Sequence, residues 1–217
     1  MTDRPFRIAV LVSGSGTNLQ AIIDAVRAGE LPVQIAAVLS DNPDAFGLDR
    51  ARECGIPAIA IDFHGCTDRA TYDRQLRRQL ADLNPDLVVL AGYMRILDAT
   101  TVNDFAGRML NVHPSLLPAY PGLHTYRRAL EAGEELHGTT VHFVIPELDA
   151  GPPVVQYRVK VQPDDTEQSL RDRVQTGEYV IYPLAIGWIA TGRLAFADGA
   201  PLLDGEPLTQ PRIIDAE

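Results

Sequence analysis

The sequence predicts an α/β protein built on a doubly wound, mostly parallel sheet. Short continuous apolar runs alternate with amphipathic segments, which is typical of buried parallel strands covered by helices on both faces. A loop of small residues joins the first apolar run to the first helical segment. Longer alternating runs in the C-terminal half predict antiparallel additions to the sheet. No linker or repeat divides the chain, so one domain over residues 1–217 is the simplest interpretation.

Strands and helices alternate through the N-terminal half. The predicted strands are Phe6–Val12, Val33–Leu39, Pro57–Ile61, Asp86–Ala91 and Met109–His113. The predicted helices are Leu19–Ala28, Phe46–Glu53 and Arg69–Leu83. In the first of these helices, apolar residues recur with the spacing that places them on one face.

The C-terminal half changes character. Thr139–Ile145 and Pro153–Val161 predict strands, and Thr166–Ile189 predicts a long helix with Thr166 as its N-cap. The Gly- and Pro-rich tail from Arg193 onward predicts a small hairpin followed by a frayed end.

Composition excludes several classes of protein. The 217 residues carry a formal net charge of −10, which argues against a nucleic-acid surface, because such surfaces depend on Lys and Arg contacts to phosphates. Cys54 and Cys66 are too few for a disulfide framework and lack metal-ligand spacing. The longest apolar stretch, Val180–Ala190, is interrupted by Pro183 and is shorter than the roughly 20 residues of a membrane helix. We therefore expect a cytoplasmic protein that binds neither membrane nor nucleic acid.

A loop of small residues, Ser13–Asn18, lies between the first strand and the first helix. Small residues let backbone amides approach a phosphate, and the helix N-terminus adds partial positive charge. The loop lacks both the Gly-Lys ending of a P-loop and the third glycine of the dinucleotide fingerprint. It predicts a site for a phosphate monoester; the alternative is a tight turn capped by Thr17 or Asn18.

Asn111 and His113 end a predicted buried strand. Because side chains alternate faces along a strand, the two point the same way. In open α/β sheets, ligands bind at the carboxyl ends of strands. An amide and an imidazole side by side can donate two hydrogen bonds to one oxygen, as a developing oxyanion requires. The pair is therefore a candidate catalytic site.

Asp149 lies in a Leu-Asp-Ala-Gly-Pro loop between two predicted strands. It is either a turn residue, since Asp before Gly-Pro is common in turns, or the partner of a cation. Sequence spacing alone does not bring Asp149 to His113.

Several motifs together resemble the phosphoribosylglycinamide formyltransferase family, whose members use folate in purine synthesis. They are SGSGTNLQAIIDA, LAGYMRIL, LNVHPSLLPAYPGLHT, HGTTVHFV, ELDAGP and RVQTGEYVIYP. The resemblance runs from about Ile8 to Leu203 and implies a Rossmann-like formyltransferase fold. Its N-terminal half would be of the phosphate-binding type, and its C-terminal half would complete the folate site.

The resemblance also implies roles for individual residues. Asn111, His113 and Asp149 match the catalytic triad. The residues implied to bind the phosphorylated glycinamide are Gly16, Thr17 and Asn18 at the phosphate and Glu178 near the ribose. Those implied to contact 10-formyltetrahydrofolate, the co-substrate, are Arg69, Met94, Arg95, Ile96, Leu97 and Asn111. For Arg69, a surface salt bridge is the alternative.

The implied reaction needs no metal ion and no covalent enzyme intermediate. The glycinamide amine attacks the formyl carbon, and Asn111 and protonated His113 hold the oxyanion. Asp149 would favour the imidazolium by its charge. We expect His124, His137 and His142 to be structural or to support the site from outside.

Three alternatives remain open. A methionyl-tRNA formyltransferase shares the Asn-His-Asp chemistry but usually has a further domain that helps to bind tRNA. A formyltetrahydrofolate deformylase passes the formyl group to water and usually has a regulatory domain. A dinucleotide-binding module needs an acidic residue after the second strand, where Asp41 is only a weak candidate. The sequence leaves the oligomeric state open, with a homodimer among the alternatives.

Overall fold

The protein has the predicted α/β fold, with a mostly parallel sheet and antiparallel strands in its C-terminal part. The structure, a computed structural model, describes residues 4–216. The chain forms two compact units, residues 1–110 and 111–217. The single domain over residues 1–217 stays a prediction. Within residues 4–216, no helix combines the length and apolarity needed to cross a membrane.

In the first unit, parallel strands alternate with helices as predicted. Its elements are β1 (Phe6–Val12), α1 (Thr17–Arg27), β2 (Val33–Ser40), α2 (Phe46–Glu53), β3 (Ala58–Ala60), α3 (Arg69–Leu83), β4 (Leu87–Leu90) and α4 (Ala99–Asp104). Strand order is β3-β2-β1-β4, with every pair parallel. Residues Ile8–Val12 are fully buried, which explains the unbroken apolar sequence of β1.

The strand order of this unit creates a switch point beside β1. The chain proceeds from β1 to β2 and β3 on one side and then returns to place β4 on the other. The loops that follow β1 and β4 therefore leave the sheet in opposite directions next to each other, which is where open α/β sheets bind ligands. A hydrogen bond from the Ser13 N–H to the Gly92 carbonyl, 3.2 Å, joins these two loops.

The second unit combines a mixed sheet with one long helix and a small separate sheet. β5 (Met109–His113) crosses the boundary between the units, and the later elements are α5 (Thr125–Ala132), β6 (Leu136–Phe143), β7 (Pro153–Lys160), α6 (Glu167–Ala190), β8 (Leu194–Ala197), β9 (Ala200–Leu203), β10 (Glu206–Pro207) and β11 (Arg212–Asp215). In the larger sheet, β6 and β7 are antiparallel. The Thr166 side chain caps α6 by accepting from the Ser169 N–H, as predicted.

Four elements differ from the prediction. The helices α4 and α5 were not predicted, because each is only one or two turns long. β6 begins at Leu136 rather than Thr139, and its extra residues include Gly138, where a Cβ would lie 2.0 Å from the Tyr157 carbonyl oxygen. Close backbone approach, rather than β propensity, selects this glycine.

The frayed tail was also a wrong prediction. The predicted hairpin is present as β8 and β9, and β10 extends it to a three-stranded antiparallel sheet. The residues predicted to fray include β11, which pairs in parallel with β7. The Arg158 guanidinium joins β7 to β11 by donating to both carboxylate oxygens of Asp215, at 2.8 and 3.0 Å. Sequence periodicity cannot reveal a four-residue strand whose stability comes from a distant partner.

Buried side chains hold the segment that follows β5. The Thr139 hydroxyl donates to the His113 carbonyl at 2.9 Å, and the Thr140 hydroxyl donates to the Ser115 carbonyl at 2.6 Å. Gln156 Nε2 donates to the Leu117 carbonyl at 2.8 Å. Alternate carbonyls of residues 113–117 thus receive a donor from β6 or β7, which fixes the backbone around His113.

Thr140 is the central member of this network. Besides donating to Ser115, its Oγ1 accepts from the Leu117 N–H and from Gln156 Nε2, both at 3.0 Å. Thr140→Val keeps the shape but removes the partner of the Ser115 carbonyl and of the Leu117 N–H, while Gln156 Nε2 keeps only its bond to the Leu117 carbonyl. We therefore expect the free energy of unfolding to fall by about 3 kcal/mol. Urea denaturation measures this. The control Thr176→Val, at an exposed position on α6, should change it by less than about 0.5 kcal/mol; equal effects would contradict the network.

Candidate active site

His113 lies at the end of β5 with hydrogen-bond acceptors at both ring nitrogens. Its side chain is buried, with 6% of the residue exposed. Its Nε2 donates to the Tyr120 carbonyl at 3.0 Å, and its Nδ1 lies 3.5 Å from Asp149 Oδ2. A carbonyl only accepts, so Nε2 carries a proton. The protonated ring satisfies both neighbours, whereas the neutral ring would turn a lone pair toward the carboxylate.

Asp149 reaches His113 because of an unusual backbone turn. Its φ is +52°, in the left-handed region that Asp and Asn tolerate better than most residues. Its Oδ2 also accepts from the Gly122 N–H at 2.8 Å. Asp149 is therefore both a turn residue and the partner of a histidine. The two interpretations that the sequence left open do not exclude each other.

His142 orients Asn111, a contact that the sequence did not reveal. His142 Nδ1 donates to the Phe143 carbonyl at 2.9 Å, so Nε2 has the lone pair and accepts from Asn111 Nδ2 at 3.0 Å. Burial lowers the pKa of His142 from 6.5 to about 4, against opposing effects that include the Asp149 carboxylate. The neutral ring thus fixes which end of the Asn111 amide is the donor. His142 was expected only to be structural or to support the site. The one sequence feature that could have indicated its contact with the site is the alternation of side chains along β6.

His137 contacts the loop that follows β5. The ring hydrogen-bonds the Pro114 backbone, and burial lowers the pKa of His137 to about 4. It packs edge-on against the rings of Tyr120 and Tyr126, with centroids 6.2 and 5.5 Å away. A neutral, apolar-packed imidazole here is structural, in line with the expectation.

Glu178 is a buried acid on α6, with 6% exposed. Burial first, and the Glu178 carboxylate next, raise the pKa of Tyr126. Gly177, the preceding residue, lies against the Tyr157 ring, where a Cβ would come within 2.1 Å of Cδ1. Glu178 thus belongs to a tightly packed helix face, and a ribose contact at this residue stays a prediction.

The predicted phosphate loop forms the start of α1 in the first unit. Gly16 is the N-cap with φ +68°, and as a glycine it offers no side chain to cap the helix. A Cβ on Gly16 would lie 2.6 Å from the Gly47 Cα, so close packing against α2 requires glycine here. A helix N-terminus carries partial positive charge, which suits an anion, and phosphate binding at this loop stays a prediction.

Arg50, which the sequence analysis did not identify, braces this loop from α2. Its Nε donates to the Ser15 carbonyl at 2.8 Å, and Nη1 donates to Gln20 Oε1 at 2.9 Å. The guanidinium also brings a positive charge to the loop. Arg50 lies 35 residues from Ser15 in the sequence, so no local pattern predicts this contact.

Of the residues predicted to contact folate, Met94, Arg95, Ile96 and Leu97 lie in the loop after β4 of the first unit, Arg69 begins α3, and Asn111 lies on β5 in the second unit. Met94 and Ile96 are apolar yet 67% and 53% exposed, whereas Leu97 is buried. Arg69, the first residue of α3, donates from Nη2 to the Ile96 carbonyl at 2.5 Å and also lies 3.4 Å from Asp73. Both the link to this loop and the alternative salt bridge are therefore present.

The described residues offer no arrangement for a metal ion. Within residues 4–216, no group of three or more His, Cys, Asp or Glu side chains is placed to hold one. The chemical groups that the second unit presents are an oriented amide, an imidazole N–H and a carboxylate. These groups can bind a developing oxyanion and move protons.

Comparison with known proteins defines the class to which this fold and these residues belong. The formyl transferase family profile matches residues 6–186, and the chain belongs to this family. It is 52% identical over 201 residues to phosphoribosylglycinamide formyltransferase of Escherichia coli, covering 93% of this chain and 95% of that protein.

Two further relatives extend this comparison. The human trifunctional purine biosynthetic protein adenosine-3 is 39% identical over 196 residues, which cover 90% of this chain and 19% of that protein. The structure of phosphoribosylglycinamide formyltransferase from Coxiella burnetii superposes with a TM-score of 0.93 at 44% identity, covering 97% of this chain and 100% of that one. The predicted family resemblance is confirmed.

Proposed function

We propose that this chain transfers the formyl group of 10-formyltetrahydrofolate to the amine of N1-(5-phospho-D-ribosyl)glycinamide, in purine synthesis. The products are the N2-formyl glycinamide and tetrahydrofolate. The observation that carries the proposal is the cluster formed by Asn111 and His113 on β5, His142 on β6 and Asp149 in the loop between β6 and β7. Asn111 contacts His142 at 3.0 Å, and Asp149 lies 3.5 Å from His113 and 4.0 Å from His142. They occur in a chain whose relatives, matched over nearly their whole length, are named for this activity.

In the proposed reaction, the glycinamide amine attacks the formyl carbon and a tetrahedral species forms. Its oxyanion accepts from the Asn111 amide and from His113 Nε2–H, two donors placed before the reaction begins. Because Nε2–H is bound to the Tyr120 carbonyl at 3.0 Å, the oxyanion must replace that carbonyl as acceptor. A proton then leaves the attacking nitrogen, and another reaches N10 of the folate as the bond to the formyl carbon breaks.

Asp149 stabilises the charged form of His113, and His142 keeps the Asn111 amide turned to donate. In the first unit, Gly16, Thr17 and Asn18 are proposed to bind the substrate phosphate. Arg69, Arg95 and the exposed apolar residues Met94 and Ile96 are proposed to bind the folate, together with Leu97. The proposal assigns Glu178 to the ribose, uses no metal ion, and places the enzyme in the cytoplasm, as a homodimer or a monomer.

The choice of acceptor tests the proposal against its rivals. The chain is incubated with 10-formyltetrahydrofolate and, in separate reactions, with glycinamide ribonucleotide, methionyl-tRNA or no acceptor. We expect tetrahydrofolate to form only with glycinamide ribonucleotide, in equal amount to the formylated product. Release of formate without an acceptor at the same rate would identify a deformylase, and formylated tRNA would identify the other transferase; either result contradicts the proposal.

Replacing Asp149 tests the charge on His113. Asp149→Asn keeps an oxygen for the Gly122 N–H and tolerates the left-handed backbone, but it removes the negative charge. We expect turnover to fall about 10²-fold, the cost of disabling one oxyanion donor. His113→Ala should fall by at least as much, and the double variant little further, because both changes disable one unit.

The chain supplies a matched control for this variant. Asp198 also has φ +52° and lies in an exposed turn. Asp198→Asn therefore makes the same chemical change at the same φ, but away from His113 and His142, and should leave turnover unchanged. Equal losses of turnover in both variants would contradict the proposed role of Asp149, because they would indicate an effect of the backbone turn or of the net charge.

Replacing Gly16 tests the phosphate loop. Gly16→Ala puts a Cβ against Gly47, so the loop must shift. We expect the KM for glycinamide ribonucleotide to rise about tenfold or more, as for loss of a hydrogen bond to a charged group, with little change in the KM for folate. Gly29→Ala is the control, because Gly29 has φ +75° but open space around its Cα. Equal changes in both Michaelis constants would argue against a phosphate site here.

A further inference from the structure

Asp41 is a buried carboxylate that the proposed reaction does not use. It follows β2 directly and is 4% exposed. Its Oδ1 accepts from the Ser13 hydroxyl at 2.5 Å, and its Oδ2 accepts from Arg95 Nε at 2.8 Å. Both oxygens therefore have partners within the protein, which argues against the ribose-binding role of a dinucleotide-binding module.

Both partners of Asp41 lead to the loop after β4. The Ser13 hydroxyl, while donating to Asp41, accepts from the Met94 backbone N–H at 2.8 Å. Arg95 is the next residue of the same loop, and its guanidinium also stacks on the Phe63 ring at 3.8 Å from the centroid. One carboxylate thus holds the loop by its backbone, through Ser13, and by a side chain, through Arg95.

The held loop presents its apolar side chains to solvent. Met94 and Ile96 are 67% and 53% exposed, although free energy favours burying such side chains. A loop whose backbone is fixed from beneath and whose apolar side chains face outward is prepared to receive a flat, largely apolar ligand, because little ordering is needed on binding.

We propose that Asp41 is a positioning residue for the folate: through Ser13 and Arg95 it fixes the segment Met94–Leu97 in the conformation that binds 10-formyltetrahydrofolate. This inference rests on the proposed function, since it concerns the same co-substrate. Asp41 touches neither the folate nor the reacting atoms in this account. Its effect is therefore on folate affinity and not on the chemical step.

Asp41→Asn tests the Arg95 arm alone. The asparagine oxygen still accepts from Ser13, but its NH₂ group then faces the Arg95 Nε–H, so donor meets donor. We expect the KM for 10-formyltetrahydrofolate to rise about tenfold, as for loss of a charged hydrogen bond. Turnover at saturation and the KM for glycinamide ribonucleotide should change by less than about twofold, within the small effects usual for remote substitutions.

Two further variants separate positioning from general stability. Asp82→Asn removes one negative charge from an exposed pair with Arg78 in the same unit and should change neither Michaelis constant. Ser13→Ala keeps the Asp41–Arg95 pair but removes the acceptor of the Met94 N–H, and should also raise the folate KM. It serves as the second test if Asp41→Asn does not fold, which thermal melting would reveal.

Equilibrium binding of tetrahydrofolate, followed by protein fluorescence, separates failure of this inference from failure of the proposed function. If the unaltered chain binds tetrahydrofolate and Asp41→Asn binds it about tenfold more weakly, the positioning role stands whatever the formyl acceptor is. Unchanged folate binding and KM in both Asp41→Asn and Ser13→Ala would overturn the inference. Equal rises in both Michaelis constants would overturn it too, because they would indicate a general structural role.

Discussion

The chemistry of the second unit depends on the placement of one imidazole ring between two acceptors. His113 has the Tyr120 carbonyl at one nitrogen and the Asp149 carboxylate at the other. That placement requires a fixed backbone at the end of β5, which the Thr139 hydroxyl secures at the His113 carbonyl itself. In the proposed reaction, a substrate oxygen replaces the Tyr120 carbonyl as the acceptor of the His113 Nε2–H. Precise placement before the reaction is what makes two ordinary hydrogen-bond donors effective toward an oxyanion.

Histidines in this unit serve different purposes because their surroundings differ. His137 and His142 are buried with backbone partners, and desolvation lowers the pKa of each from 6.5 to about 4. The unfolded chain therefore binds more protons than the folded one between these values. The stability associated with these neutral rings is fully present above pH 6.5 and is lost as the pH falls toward about 4. Both rings hold backbone or amide groups in place, and the proposed function assigns proton transfer to neither of them.

Much of the fold was predictable from local patterns, whereas most of the contacts within the candidate site were not. A continuous apolar run located the core of β1, and strand alternation placed Asn111 and His113 on one face of β5. The approach of Asp149 to His113 depends on a left-handed turn and a chain reversal between β6 and β7, which spacing does not encode. The roles of His142 and Asp41 depend on which atoms face which, and strand β11 depends on a distant partner. Such long-range pairings leave no periodic trace in the sequence.

Measuring the protonation state of the histidine rings tests the hydrogen bonds of the candidate site most directly. Long-range ¹H–¹⁵N NMR of the five histidines distinguishes the two neutral tautomers from the charged ring. At pH 7 the account predicts that His142 is neutral with its proton on Nδ1, and that His113 carries a proton on Nε2. In Asn111→Ala, the His142 Nε2 resonance should shift, because that nitrogen loses its donor. A charged His142, or a neutral His142 protonated on Nε2, would contradict the account, because Asn111 could not then donate to it.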